Sequence, residues 1–266
     1  MIRSEISAEP MVASFLKQQA KYAFSALHPL LPSTARTRLK EHFELRYWRD
    51  YYRAIDDASD GDRGDTLAHE RAHYRHFYTD FFELGANDYR DKRLLDIGCG
   101  PVGSLEWADM TRLRLGLDPL AHAYRGLDAQ AQKMAYVAAA SEAIPAATAS
   151  FDIVASFNSL DHVADIGRTA GEIGRVTAPG GHFLLITEID HLPTPTEPHR
   201  LTEAVCDFFE TDFETRSRRL FGVRDDHNLY GSLFDRIAYR PGESGLLCAH
   251  FTRRASIRTA DDASHR

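Results

Sequence analysis

The stretch "LLDIGCGPVGSLEW" (94–107) decides the fold. After an apolar start, Gly98, Gly100 and Gly103 spell G-x-G-x-x-G, a turn that lets backbone pass close to a ligand at the end of a strand. Asp96 stands two residues before the first glycine, where the pyrophosphate of a dinucleotide would meet a negative charge. The ligand must therefore tolerate a carboxylate beside the turn.

Beyond the turn, short apolar runs alternate with helix-like stretches. Strands are expected at 93–97, 113–117, 135–139, 151–157 and 182–188, with two more near 215–221 and 245–252. Such alternation means βαβ units and a parallel sheet. Residues 1–90 read differently, as a helical cap with segments near 9–29, 34–56 and 66–84 joined in part by the polar "DDASDGDRGD" (56–65). The chain thus divides into a cap, 1–90, and a ligand-binding domain, 91–266. The tail "TADDASHR" is expected to fray.

Composition narrows the function classes. The 266 residues carry 39 acidic against 32 basic side chains, a net charge of −7, which gives no electrostatic footprint for a duplex. Cys99, Cys206 and Cys248 are widely spaced, fitting a reducing compartment and no disulfide framework. No secretory leader is expected and no apolar run reaches membrane length, so a cytoplasmic protein without nucleic-acid or membrane partners is expected, with a homodimer as an option.

In an open α/β sheet ligands bind at the carboxyl ends of the strands. Asp118 ends the second strand and can accept hydrogen bonds from both hydroxyls of a ribose, which serves NAD and S-adenosylmethionine (SAM) alike. Asp96 favours SAM, which has no phosphate but carries a cationic ammonium and sulfonium. In order, "LLDIGCGPVGS", "GLDP", "SEAIP…SFDIVASFNSLDHVAD" and "PGGHFLLITE" resemble the motifs of class I SAM-dependent methyltransferases over about residues 91–190. The likeness is greatest to small-molecule enzymes with a "FDxVxSxxxLxHVxD" segment.

The resemblance implies a doubly wound, Rossmann-like α/β sheet of seven strands, the last inserted antiparallel. It also implies SAM as cofactor and methyl transfer to O or N of a small molecule. Carried over by position, Asp96 and the backbone of Gly98, Cys99 and Gly100 line the methionine end. Asp118 holds the ribose, with Leu117 or Pro119 beside the adenine. The acidic residue that usually meets the adenine edge is Ala140 here, leaving the Ser141 backbone and Glu142 as substitutes. Phe157, Asn158 and His162 follow the fourth strand, beside the sulfonium. His162 serves as a base toward an alcohol or phenol, or as a structural histidine, and Asn158 is a polar contact. His191 and His199 lie in a proline-rich loop on the ligand side.

Two other function classes fit parts of this sequence. An NAD(P) oxidoreductase would use the glycine turn as a dinucleotide fingerprint. "HERAH" (69–73) spells the zincin pattern through His69, Glu70 and His73, with His76 three residues on. Thirteen histidines make chance matches easier, and the helix suits a lid of Tyr74, Phe77 and Tyr78. No metal is expected, and a catalytically silent SAM-binding module is the remaining alternative.

Overall fold

The computed structural model describes residues 31–58, 63–127, 131–194 and 196–255. The expected helix at 9–29 and the tail lie outside them. Helix α1 (Ser33–Ala58) and helix α2 (Arg63–Tyr78) precede the sheet. In α1, Leu45, Trp48, Tyr52 and Ile55 recur at helical spacing. This stripe packs on Leu120, Ala121 and Tyr124 at one end and on Leu67 at the other.

Seven strands follow: β1 (Arg93–Ile97), β2 (Leu113–Leu117), β3 (Ala135–Val137), β4 (Phe151–Phe157), β5 (Thr177–Ile189), β6 (Phe213–Gly222) and β7 (Gly245–Arg253). Their order across the sheet is β3-β2-β1-β4-β5-β7-β6. The first five are parallel, and β7 runs antiparallel between β5 and β6. The order reverses between β1 and β4, so the crevice above their carboxyl ends is the switch point where a ligand is received.

Both faces of the sheet are buried, which is why the strands read as apolar runs. Leu95, Ile97, Val154, Phe183 and Leu185 face one layer with α4 (Ile166–Val176) and the 3-10 turn Glu203–Phe209. Leu94, Ile153, Ala155, Leu184 and Ile186 face the other, under Phe77 and Tyr78 of α2 and Phe81, Phe82 and Tyr89. The alternation along each strand is the pleat itself.

The connections differ from expectation. Only turns follow the glycine motif, over 101–107, and the β2–β3 connection contains the single-turn α3 (Ala121–Tyr124). Side chains hold several carbonyls of this turn. Tyr52 Oη donates to Pro101 O at 3.0 Å and Arg71 Nε to Val102 O at 2.7 Å, while Arg114 Nη1 donates to Glu106 O at 2.9 Å. By contrast α4 is capped by Asp165, whose side chain accepts from Arg168 N at 2.9 Å. Among the described residues no helix is long and apolar enough to cross a membrane.

Candidate active site

Strand β1 ends in the glycine turn. Gly98 has φ +69°, and a Cβ there would lie 2.2 Å from Ser159 Cβ. Gly100 has φ +57°, and its Cβ would lie 2.7 Å from the Trp48 ring. Only glycine meets both demands, a left-handed backbone and a close neighbour. The turn is thereby wedged between the loop after β4 and helix α1.

Two buried carboxylates sit beneath it. Asp96 is 3% exposed and accepts a hydrogen bond from the Ser104 hydroxyl. Burial pushes its pKa up to about 7; the nearby Asp118 charge adds to this, while Ser104 and Tyr78 oppose it. Asp118 is 7% exposed and accepts from Leu120 N at 2.8 Å and Gly100 N at 3.3 Å. Burial raises it as well, against the hydrogen bonds from Leu120, Tyr124 and Gly100. Among the described residues neither forms an ion pair with Lys or Arg. Two buried carboxylates near one another without a cation are costly. A ligand that brings positive charge or hydroxyl donors suits these two acceptors, and SAM carries both.

Helix α1 lies across the crevice. Trp48 covers Gly100, Tyr52 holds Pro101 O, and one and two turns before Trp48 the helix meets the loop after β4. There Glu44 Oε1 is 2.8 Å from His162 Nδ1, and Lys40 Nζ donates to His162 O. One helix therefore touches both loops of the switch point.

The loop after β4 gathers the second half of the site. Asn158 adopts φ +50°, its amide donates to Ile186 O at 2.7 Å, and its Oδ1 is buried without a partner. Asp161 is 3% exposed; its Oδ2 lies 3.4 Å from His191 Nε2, and its Oδ1 has no hydrogen-bond partner. His162 Nε2 lies 3.8 Å from Glu197 Oε1 and 4.0 Å from Asp161 Oδ1. At the end of β5 the buried Glu188 also has an unpartnered Oε1.

Electrostatics follow the geometry. Burial pulls the His162 imidazole down, but Glu44, Asp161 and Glu197 together hold it above its usual range. For His191 burial is likewise outweighed, chiefly by Asp161, and the pKa rises to about 9. Burial pushes Asp161 up, yet His191 and His162 hold it below the ordinary carboxylate range.

The other residues named from the sequence lie close by in different settings. Phe157 is 7% exposed and packs on Tyr78 at 4.6 Å between ring centroids. Cys99 is buried against Gly116 and Met134, and Pro119 is exposed. Ser141 Oγ lies 3.0 Å from Thr169 Oγ1. The Glu142 carboxylate accepts from Ala164 N at 2.6 Å and Asp165 N at 3.1 Å, so it braces the segment after His162. His199 Nε2 donates to Val163 O at 2.7 Å, tying the loop after β5 to the same segment. In the HERAH segment the side chains of His69 and Glu70 lie outside the described residues. The His73 ring packs on Tyr74 and Tyr230, at 4.2 and 5.0 Å.

Sequence reasoning did not find Glu44, Trp48, Asp161 or Glu197. Trp48 lies in one of the helix-like segments of the cap, Asp161 adjoins His162 in one 3-10 turn, and Glu44 and Glu197 carry no local signal because they reach His162 from separate elements.

Comparison with known proteins bears on this arrangement. Residues 95–185 match the family model of a methyltransferase domain, spanning the glycine turn, β4 and part of β5. A malonyl-[acyl-carrier protein] O-methyltransferase of Pseudescherichia vulneris is 36% identical over 104 residues, which are 37% of this chain and 39% of that protein. The chain thus spans about two fifths of the length of that curated relative. An uncharacterized methyltransferase of Mycobacteroides abscessus is 28% identical over 205 residues, 71% of this chain and 74% of that one. Among solved structures, the YcgJ protein of Bacillus subtilis superposes with a TM-score of 0.50 at 15% identity, covering 64% of this chain and 97% of that chain, which speaks to the fold. Doubly wound topology, glycine turn and matching domain model converge on one part of the chain: residues 95–185 match a methyltransferase domain, set in a sheet of the class I SAM-dependent methyltransferase fold.

Proposed function

We propose that the protein transfers the methyl group of SAM to an oxygen or nitrogen of a small molecule. The observation that carries this reading is the pair Asp96 and Asp118, buried under the glycine turn with no cationic side chain paired to them among the described residues. A dinucleotide would bring phosphates to that place; SAM brings positive charge. In this reading Asp96 binds the ammonium, Asp118 the ribose, and Gly98, Cys99 and Gly100 supply backbone along the methionine end. Pro119, Ser141 and Glu142 flank the adenine, and Phe157 supports the sulfonium end from beneath.

Methyl transfer is an in-line displacement, so holding the nucleophile along the S–methyl axis supplies much of the acceleration. The acceptor end is assigned to Asn158 and His162. Asn158 Oδ1, Asp161 Oδ1 and Glu188 Oε1 are buried acceptors without partners, which favours a substrate that donates hydrogen bonds, such as an alcohol, phenol or amine. Glu44, Asp161, Glu188 and Glu197 make this end unfavourable to a free carboxylate acceptor, although the Pseudescherichia relative is named for a malonyl group. The proton of an alcohol or phenol is received at His162 Nε2, the ring nitrogen not held by Glu44.

The test is transfer of labelled methyl from SAM to a panel of alcohols, phenols, amines and malonyl thioesters. Labelled product is expected with a hydroxyl or amine donor. His162→Ala is expected to lower turnover on a hydroxyl substrate by about 10²–10⁴-fold with SAM affinity kept. SAM binding without transfer to any acceptor, or full turnover of that variant on a phenol, contradicts the assignment.

A further inference from the structure

Three potential ligand atoms converge beside the acceptor end. Asp161 Oδ1, His162 Nε2 and Glu197 Oε1 all lie within 4.8 Å of one another. The histidine nitrogen is 4.0 Å from the aspartate oxygen and 3.8 Å from the glutamate oxygen. A point equidistant from three atoms so spaced lies about 2.2–2.5 Å from each, so side-chain shifts of a few tenths of an ångström bring all three to the roughly 2.0–2.2 Å bonds of small divalent cations to nitrogen and oxygen.

Two further observations point to a ligand there. Asp161 is 3% exposed, and its Oδ1 has no hydrogen-bond partner although it is aimed at the gap between His162 and Glu197. The other nitrogen of His162, Nδ1, is held by the Glu44 carboxylate at 2.8 Å. Metal-binding histidines characteristically give their second ring N–H to a carboxylate, which fixes the tautomer and aims the lone pair. Asp161 has only a looser neighbour on its other oxygen, Oδ2 lying 3.4 Å from His191 Nε2 as an ion pair.

We infer that Asp161, His162 and Glu197 form a binding site for one divalent cation of the Mn²⁺-to-Zn²⁺ range, with Glu44 orienting the imidazole. One imidazole and two carboxylates suit that range better than the all-oxygen sets of Ca²⁺. Three protein ligands leave positions open for water or an acceptor hydroxyl. With the cation bound, Nε2 no longer receives the acceptor's proton; the cation lowers the pKa of the bound hydroxyl, and the proton leaves to solvent. Binding itself stands on these side chains and not on the methyl-transfer reading.

The test is titration of the chelator-treated, full-length protein with Mn²⁺, followed by electron paramagnetic resonance, with SAM binding measured by calorimetry on the same samples. One saturable Mn²⁺ site per chain is expected. Glu197→Gln, in a half-buried loop, should weaken it by more than tenfold, and Glu44→Gln by about 10–100-fold. Unchanged melting curves would show that both variants remain folded. No saturable Mn²⁺ uptake, or uptake equal in Glu197→Gln and wild type, overturns the inference. SAM binding without Mn²⁺ uptake overturns the cation site alone; Mn²⁺ uptake without SAM binding supports it while contradicting methyl transfer.

Discussion

Asp96 and Asp118 carry the argument at the scale of single residues. An aspartate that titrates near 3.9 in the unfolded chain is held at about 7 in the folded one, because burial disfavours its charge. The folded state therefore binds the proton more tightly, and stability falls as pH rises from about 4 to about 7. Asp96→Asn should remove that slope and make the protein more stable than wild type at pH 8, on the order of a few kcal/mol. It should also weaken SAM binding. Asp118→Asn should weaken SAM by roughly ten- to a hundred-fold, the cost of a charge-assisted hydrogen bond, while melting stays close to wild type. Thermal melts across pH 4–8 with calorimetry check both. An unchanged slope in Asp96→Asn, or unchanged SAM affinity in Asp118→Asn, contradicts these roles. Both carboxylates were legible in the sequence, since each ends an apolar run beside a turn. Glu44 and Glu197 were not, because carboxylates that meet His162 from other elements, Glu44 from 118 residues away, leave no mark on their neighbours.

At the scale of elements, buried parallel strands announce themselves as apolar runs, and 93–97, 113–117 and 151–157 match β1, β2 and β4 end to end. Strand β5 begins five residues before the expected start at 182, at Thr177, through the polar "TAPGG" that no apolar pattern marks. Where a helix is expected after the glycine turn the chain makes only turns, with Tyr52, Arg71 and Arg114 donating to its carbonyls, and such contacts are tertiary. The β5–β7 pairing also sets a pH response. His250 Nε2 lies 2.9 Å from His182 Nδ1. Burial, with the nearby His182 and two arginines, pulls His250 down to about 4. Its folded pKa is below the unfolded value near 6.5, so stability is full above 6.5 and lost as pH falls toward 4. His250→Gln should flatten the melting temperature over that window. A profile as steep as wild type would show that the acid sensitivity arises elsewhere.

At the scale of the whole molecule, a glycine turn on one side of a switch point and a histidine–carboxylate cluster on the other are bridged by α1. The turn alone could serve NAD as well as SAM; the charge around it separates them. Calorimetry with SAM, S-adenosylhomocysteine and NAD tests this most directly. SAM and S-adenosylhomocysteine should each bind once per chain in the micromolar range or tighter, and NAD should give no saturable heat. Saturable NAD binding with no response to SAM would contradict it.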